Sequence, residues 1–332
     1  MRVAPNDRGS HLQAPRLARF VVVIAAAALP RVADAQWAVA RADSLLASGQ
    51  VAAAESMYYA ASSARPRDAF ARAALGRYLA ARGALRIGAV LLEEARLFGG
   101  DTATIARSLA PIYSSLGDYR ALATLPKAPL SQPERYRVRW LVGHAPVLEF
   151  PDTIDTMPYR PGTDAAGLGV VRVSIGDRQI DATIDPATPG IVLRGTAGRR
   201  RGLKVFGTDS TGVIAVVPEL HLGDVVLSNV PARIETDESL VSGAPALSSI
   251  GLDVVERLAP TFDPVAMSIT LRRTGQIAAA TAGTRIPMLL EPSGTRVLVD
   301  GRWEAMTSRA ATAMLSTRRW TLDARRGSIV LQ

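Results

Sequence analysis

The residue with the clearest capacity for chemistry is Asp185. It ends an alternating apolar strand, Ile180-Asp181-Ala182-Thr183-Ile184, and is followed by the tight turn Pro186-Ala187-Thr188-Pro189-Gly190 and a second apolar strand, Ile191-Val192-Leu193. A carboxylate placed where a buried strand breaks into a turn is held rigidly at a cleft. Such a group can take a proton from water as a general base. A second carboxylate beside it would make the pair share one proton, because like charges about 3 Å apart cannot both ionise. An Asp-Pro pair also opens ordinary turns, so Asp185 has a purely structural reading as well.

Other chemistries find little support. The chain has no cysteine, which excludes disulfides, thiolate metal sites, a cysteine nucleophile and a lipoprotein anchor. The three histidines, His11, His144 and His221, are far apart and lack a local carboxylate cluster, so no metal site is expected. There is no Gly-x-Ser-x-Gly elbow and no glycine loop of the kind that cradles nucleotide phosphates, and no cofactor is expected. The net charge is +9, nearly all from arginine, since Lys127 and Lys204 are the only lysines. The longest basic cluster, Arg199-Arg200-Arg201, has no aromatic interleaving, and an Arg- and Ala-rich composition accounts for the charge without a nucleic-acid partner.

The elements that would position Asp185 come from the rest of the chain. Its 332 residues suggest two domains. Residues 1–35 read as a secretory signal peptide: Arg2, Arg8, Arg16 and Arg19 precede an apolar run from Phe20 to Leu29, and Ala33-Asp34-Ala35 is a small-x-small cleavage site. The run is too short for a membrane span, which takes about 20 residues. Cleavage would leave a periplasmic or secreted chain with no integral membrane span. An uncleaved N-terminal anchor is the alternative.

Residues 36–125 are helical by pattern, with Leu or Ala recurring at spacings of three and four. Gly49, Gly83 and Gly117 are 34 residues apart (83 − 49 and 117 − 83), and Ala61 and Ala95 follow the first two at equal distance. This resembles the tetratricopeptide repeat, whose period is 34. The resemblance implies stacked helix hairpins with a concave face for a peptide or protein partner, or a plain support for the next domain. Residues 126–165 carry seven prolines and read as a linker, with Val147 to Phe150 as an edge strand.

Residues 166–274 switch to strand periodicity. One hairpin turns at Gly176-Asp177 and another joins Val213–Leu222 to Val225–Ile234 through Gly223-Asp224. Ile250-Gly251-Leu252 precedes a short helix that Asp253 is placed to cap, and a last strand pair surrounds Phe262-Asp263-Pro264. In order and spacing this stretch resembles a retropepsin-like aspartic peptidase lobe. The matching parts are the first hairpin, Asp185 at the strand end, a flap-like loop (Gly207, Thr208, Asp209, Ser210, Thr211, Gly212) for substrate, and Ser249-Ile250-Gly251 in place of the family's apolar-apolar-Gly. The family's Asp-Thr-Gly is here Asp185-Pro186-Ala187. The resemblance implies that a Thr hydroxyl would lock two lobes together and a Gly would let backbone approach the carboxylate. Pro186 and Ala187 offer neither.

Residues 275–332 read as a degenerate second lobe. Arg296 to Arg302 echoes Arg172 to Arg178, and Trp320 to Leu331 echoes Pro260 to Leu271, with the catalytic position falling near Thr307 or Ser308. The expected fold is therefore multidomain, α then β: helix hairpins followed by an antiparallel retropepsin-like fold. The expected function is a catalytically impaired peptidase-like protein that binds a peptide or protein ligand, by strand addition, in the cell envelope. The alternatives are an active aspartic endopeptidase using Asp185 in a homodimeric site, and a helical-repeat adaptor with a β cap.

Overall fold

The computed structural model describes residues 35–161, 167–194, 202–235, 247–273 and 282–332. The leader, Arg199-Arg200-Arg201 and the gaps between these spans lie outside the described residues. The first part is helical: α1 (35–47), α2 (Val51–Ala64), α3 (Ala69–Ala81), α4 (Leu85–Leu97), α5 (Thr102–Leu116), α6 (Tyr119–Thr124) and α7 (Gln132–Gly143). Alanine and leucine supply helix propensity and a small-residue core, with Ala61, Ala95, Leu92 and Leu109 buried. Starts are fixed by Asp68, Asp101 and Asp118, whose carboxylates accept from Ala71, Thr104 and Ala121 backbone N–H groups at 2.9, 2.7 and 3.0 Å. Each helix pair turns at one of the 34-spaced glycines, all left-handed, with φ of 78°, 83° and 70° at Gly49, Gly83 and Gly117.

The Pro-rich stretch is not a linker. It carries α7, the edge strand β1 (Val147–Glu149), which pairs with residues 226–228, and the interior strand β2 (Ile154–Pro161). Proline is tolerated for local reasons. Pro133 stands in the first helical turn, where its missing N–H bonds nothing, behind a capping box of Ser131 and Glu134. Tyr159 N–H bonds Met267 O at 2.9 Å, so the nitrogen of Pro158 points to the opposite side of β2. That side pairs with the next strand only from Tyr159 onward.

The β region opens with the hairpin β3 (Gly169–Ile175) and β4 (Arg178–Asp185). It continues through β5 (Ile191–Leu193), β6 (Lys204–Asp209), β7 (Gly212–Leu222), β8 (Val225–Ile234) and β9 (Ser248–Gly251). Both hairpin turns read from the sequence are present. Order β3-β4-β9-β5-β8-β7 closes on itself where Ser174 and Ile175 pair with His221 and Leu220, giving a barrel of six strands. Its interior is filled by Ile184, Ile250, Leu193, Ala215 and Val217. Strand β9 threads between β4, to which it is parallel, and β5, to which it is antiparallel.

After β9 come the short helix α8 (Leu252–Val255), a 3-10 turn (Glu256–Leu258), β10 (Thr261–Asp263) and β11 (Ser268–Arg272). The tail adds β12 (Thr284–Glu291), β13 (Gly294–Val299), β14 (Arg302–Ala305), α9 (Arg309–Leu315), β15 (Trp320–Asp323) and β16 (Ser328–Leu331). The two echoing segments pair with each other: β10 and β15 are antiparallel, with Thr261 opposite Thr321. Their hydroxyls lie 2.8 Å apart, buried, and Phe262 stacks on Trp320 with ring centres 4.0 Å apart. Each partner strand repeats the register at an offset of 60 (321 − 261): Phe262 faces Ile269 as Leu322 faces Ile329, and Asp263 faces Ser268 as Asp323 faces Ser328. Tyr159 N–H bonds Met267 O as Met288 N–H bonds Gly327 O.

The helices lie against this tail. The guanidinium of Arg82 donates to Met288 O and Gly327 O, and the Trp303 indole N–H donates to Leu46 O. A Cβ on Gly83 would stand 1.7 Å from Ala324 O, whereas one on Gly117 would meet nothing within 4 Å. Both glycines share the left-handed penalty, about 1 kcal/mol for alanine. Gly117→Ala should therefore lower stability by about 1 kcal/mol and Gly83→Ala by more than about 3 kcal/mol, read from urea midpoints. Equal losses would mean that the helices do not dock on the tail.

Candidate functional site

Asp185 is the last residue of β4 and faces Gly251 across the parallel ladder. Its carboxylate is used inside its own turn. One oxygen accepts from Ala187 N–H at 2.9 Å and the other from the Thr188 hydroxyl at 2.6 Å. Thr188 therefore supplies a hydroxyl, three residues after the aspartate, and spends it on the same turn. The sequence reading missed this because it looked for the hydroxyl at position 186.

Gly251 holds the other side of the turn. Its N–H donates to Gly190 O at 2.6 Å, and a Cβ there would stand 2.2 Å from Thr188 O and 2.3 Å from Asp253 Oδ1. Asp253 does not cap α8 as expected; Gly251 occupies the cap position. Asp253 turns back instead and accepts from Gly190 N–H at 3.0 and 3.1 Å. Ser249, which breaks the expected apolar pair, is buried and accepts from the Arg194 guanidinium at 2.9 Å.

The tail touches the turn at one side. Pro186 O accepts from Thr295 N–H at 3.3 Å, and a Cβ added to Gly294 would stand 3.4 Å from the Ala187 Cβ. Thr295 O in turn accepts from Met306 N–H at 2.9 Å, so the Asp185 turn and the loop after β14 share one anchor. The two sets of ladders can be aligned residue by residue. Tyr159 pairs with Val171 as Met288 pairs with Val297, and Val171 pairs with Ala182 as Val297 pairs with Glu304. Three residues on from Ala182 is Asp185; three on from Glu304 is Thr307. Its neighbour Ser308 caps α9 through Ala311 N–H at 3.2 Å.

The six flap-like residues sit elsewhere. Gly207, Thr208 and Asp209 end β6, Ser210 and Thr211 form the turn, and Gly212 opens β7. Asp209 accepts from Thr211 within the turn and from the Ser131 hydroxyl of α7's cap at 2.6 Å. Burial pushes the Asp209 carboxyl up, but these hydrogen bonds outweigh it and hold the group at about 2. His144 stacks on Trp140 with ring centres 4.1 Å apart, and His221 contacts Glu219. Among the described residues, no cluster of three or more His, Cys, Asp or Glu is placed to hold a metal.

Beside the Asp185 turn lies a cavity of about 620 Å³. One wall is Pro186–Pro189, Leu252, Asp253 and Glu256; the others are the inner faces of α1–α5 and the end of β12 with the turn after it. None of the flap-like residues lines it. Burial, reinforced by the nearby Asp253 charge, pushes the Glu256 carboxyl up to about 8 against the pull of Arg257. Burial also raises Asp253, opposed by its hydrogen bond from Gly190. A glutamate on a short helix reads from sequence as solvated.

The buried acid makes stability depend on pH. Between the unfolded value of about 4.5 and the folded value of about 8, the folded chain holds a proton that the unfolded chain has lost. Stability therefore falls as pH rises through that window, by at most about 1.4 kcal/mol per pH unit, and Asp253 acts in the same direction. Urea unfolding from pH 5 to pH 8 should show this fall, and Glu256→Gln should flatten it. A slope unchanged by the substitution would show that Glu256 is not buried as a carboxyl.

No protein-family model matches the chain, and no curated protein matches it. Among solved structures, the chain is similar to a retropepsin-like aspartic protease from Rickettsia conorii. The likeness covers 39% of this chain and 94% of that one, at 14% identity and a TM-score of 0.29. It lies below the level at which a fold is assigned.

Proposed function

We propose that this chain is a peptidase-like binding protein that does not hydrolyse its ligand. In this reading the β region is a retropepsin-like lobe followed by a shrunken second lobe, and the helices form tetratricopeptide-like hairpins around them. The threading of β9 beside Asp185, the 60-residue offset between the paired ladders and the 34-residue glycine period support that reading. The leader in the sequence supports export to the periplasm or beyond. The ligand is a peptide held in the 620 Å³ cavity, whose size suits a few residues. Its walls are helix faces, turns and a strand end, so side-chain pockets rather than strand addition would hold the peptide.

The observation that carries the absence of hydrolysis is the ladder equivalence of Asp185 and Thr307. Water activation of this type needs two carboxylates sharing a proton, and the equivalent position offers a hydroxyl. A dimeric site, in which a second copy would bring its own Asp185, would have to form beside Thr295 of the same chain, whose N–H already bonds Pro186 O.

The purified chain, incubated with a peptide library from pH 3 to pH 7, should give no cleavage, and Asp185→Asn should behave identically. The substitution leaves the turn's geometry in place and should lower stability by about 1 to 2 kcal/mol through weakened acceptance from Ala187 and Thr188. Cleavage by the parent chain that Asp185→Asn abolishes would overturn the proposal.

A further inference from the structure

We propose that the cavity is a pocket for a basic side chain, the lysine or arginine of a bound peptide, with Glu256 as its counter-ion. This rests on the reading that the cavity holds a peptide, and adds the residue class it selects.

Four carboxylates line the cavity, and three are engaged. Asp43 accepts from the Tyr58 hydroxyl, Asp253 from Gly190 N–H, and Glu291 pairs with Arg296. Glu256 alone has no hydrogen bond or ion pair to its carboxylate among the described residues. Its neighbour Arg257 sends its guanidinium to Ser115 O on α5 instead. Glu256 is half-buried and lines the cavity. An acid buried without a partner is costly, and the favourable remedy is a cation that arrives with its own hydrogen-bond donors.

The remaining walls suit the stem of such a side chain. Leu85, Ile112, Pro189 and Leu252 are apolar, and lysine and arginine bury their methylenes along such surfaces while the charged head finds polar partners. The two cations on the cavity, Arg77 and Arg107, are on exposed positions of α3 and α5. A divalent metal is a poorer occupant, because no set of three ligands converges among the described residues.

Binding has a proton balance. Below about pH 8 Glu256 is mostly protonated, so a cation displaces its proton to solvent. The charged and titratable groups facing Glu256 are Asp253 and Arg257 from its own segment, Asp43, Tyr58, Arg77 and Tyr78 from α1–α3, Arg107 from α5, and Glu291 from β12. Affinity for the cation should rise close to tenfold per pH unit from pH 6 towards pH 8 and then level off.

The test is calorimetry on the purified full chain with three probes: acetyl-Ala-Ala-Lys-Ala-Ala-amide, the same peptide with norleucine at the centre, and n-butylammonium chloride. At pH 8 the lysine peptide should bind at least tenfold tighter than the norleucine peptide, and n-butylammonium more weakly than either. Titration at pH 7 in two buffers of different ionisation enthalpy should show release of nearly one proton for the lysine peptide and none for norleucine. Glu256→Gln should abolish both the preference and the release. Equal binding of the two peptides would overturn the basic pocket and leave the peptide reading standing. Butylammonium binding that depends on Glu256, with no peptide bound, would support the cation site and overturn the peptide reading. Absence of binding by all three probes at millimolar concentration would overturn both.

Discussion

The short antiparallel contact between β10 and β15 holds this molecule together. It joins the barrel's last strands to the tail's last strands through a buried pair of threonine hydroxyls and one stacked aromatic pair. Each side donates to and accepts from its equivalent, so neither half is left with an open inner edge. With that contact in place, the start of β13 reaches the Asp185 turn, where Thr295 N–H bonds Pro186 O. The helices then find their support on the tail at Gly49 and Gly83 and on the barrel through α7. The cavity is what remains between these three parts.

The Asp185 turn supplies its own carboxylate with donors. The proline at 186 removes a donor, and the alanine at 187 keeps one, which goes to the aspartate's own side chain. The threonine at 188 completes the arrangement. Each oxygen of the Asp185 carboxylate thus has one donor from its own turn. Glu256, a helix turn away from the strand that supports Asp185, has no such donor to its carboxylate among the described residues.

Much of this was legible in the sequence where the signal was local. The two hairpins at Gly176-Asp177 and Gly223-Asp224 follow from alternation around turn residues, and the helix turns follow from glycine at a fixed period. Asp185 at a strand end was readable for the same reason. Composition misleads over 126–165, because a count of prolines carries no hydrogen-bond direction. Pro133 and Pro158 fall where no N–H is required, a matter of register that composition does not record. Asp253 was expected to look forward along its helix and looks back at Gly190, because Gly251 already sits at the cap. The cavity was not legible at all. Its walls come from segments as distant as Asp43 and Thr295, and no short-range pattern brings them together.

The docking of the helices on the tail also bears on how the chain is made. Leu46 meets Trp303, and Arg82 meets Gly327, at sequence separations of 257 and 245 residues. Helices form early and locally, but contacts of such separation must wait for the far segment. On the ribosome, α1 to α4 emerge about two hundred residues before the surface they rest on, at about 5 to 20 residues per second. For that interval, on the order of ten seconds or more, their inner face stays uncovered, a demand that a shielding chaperone would meet.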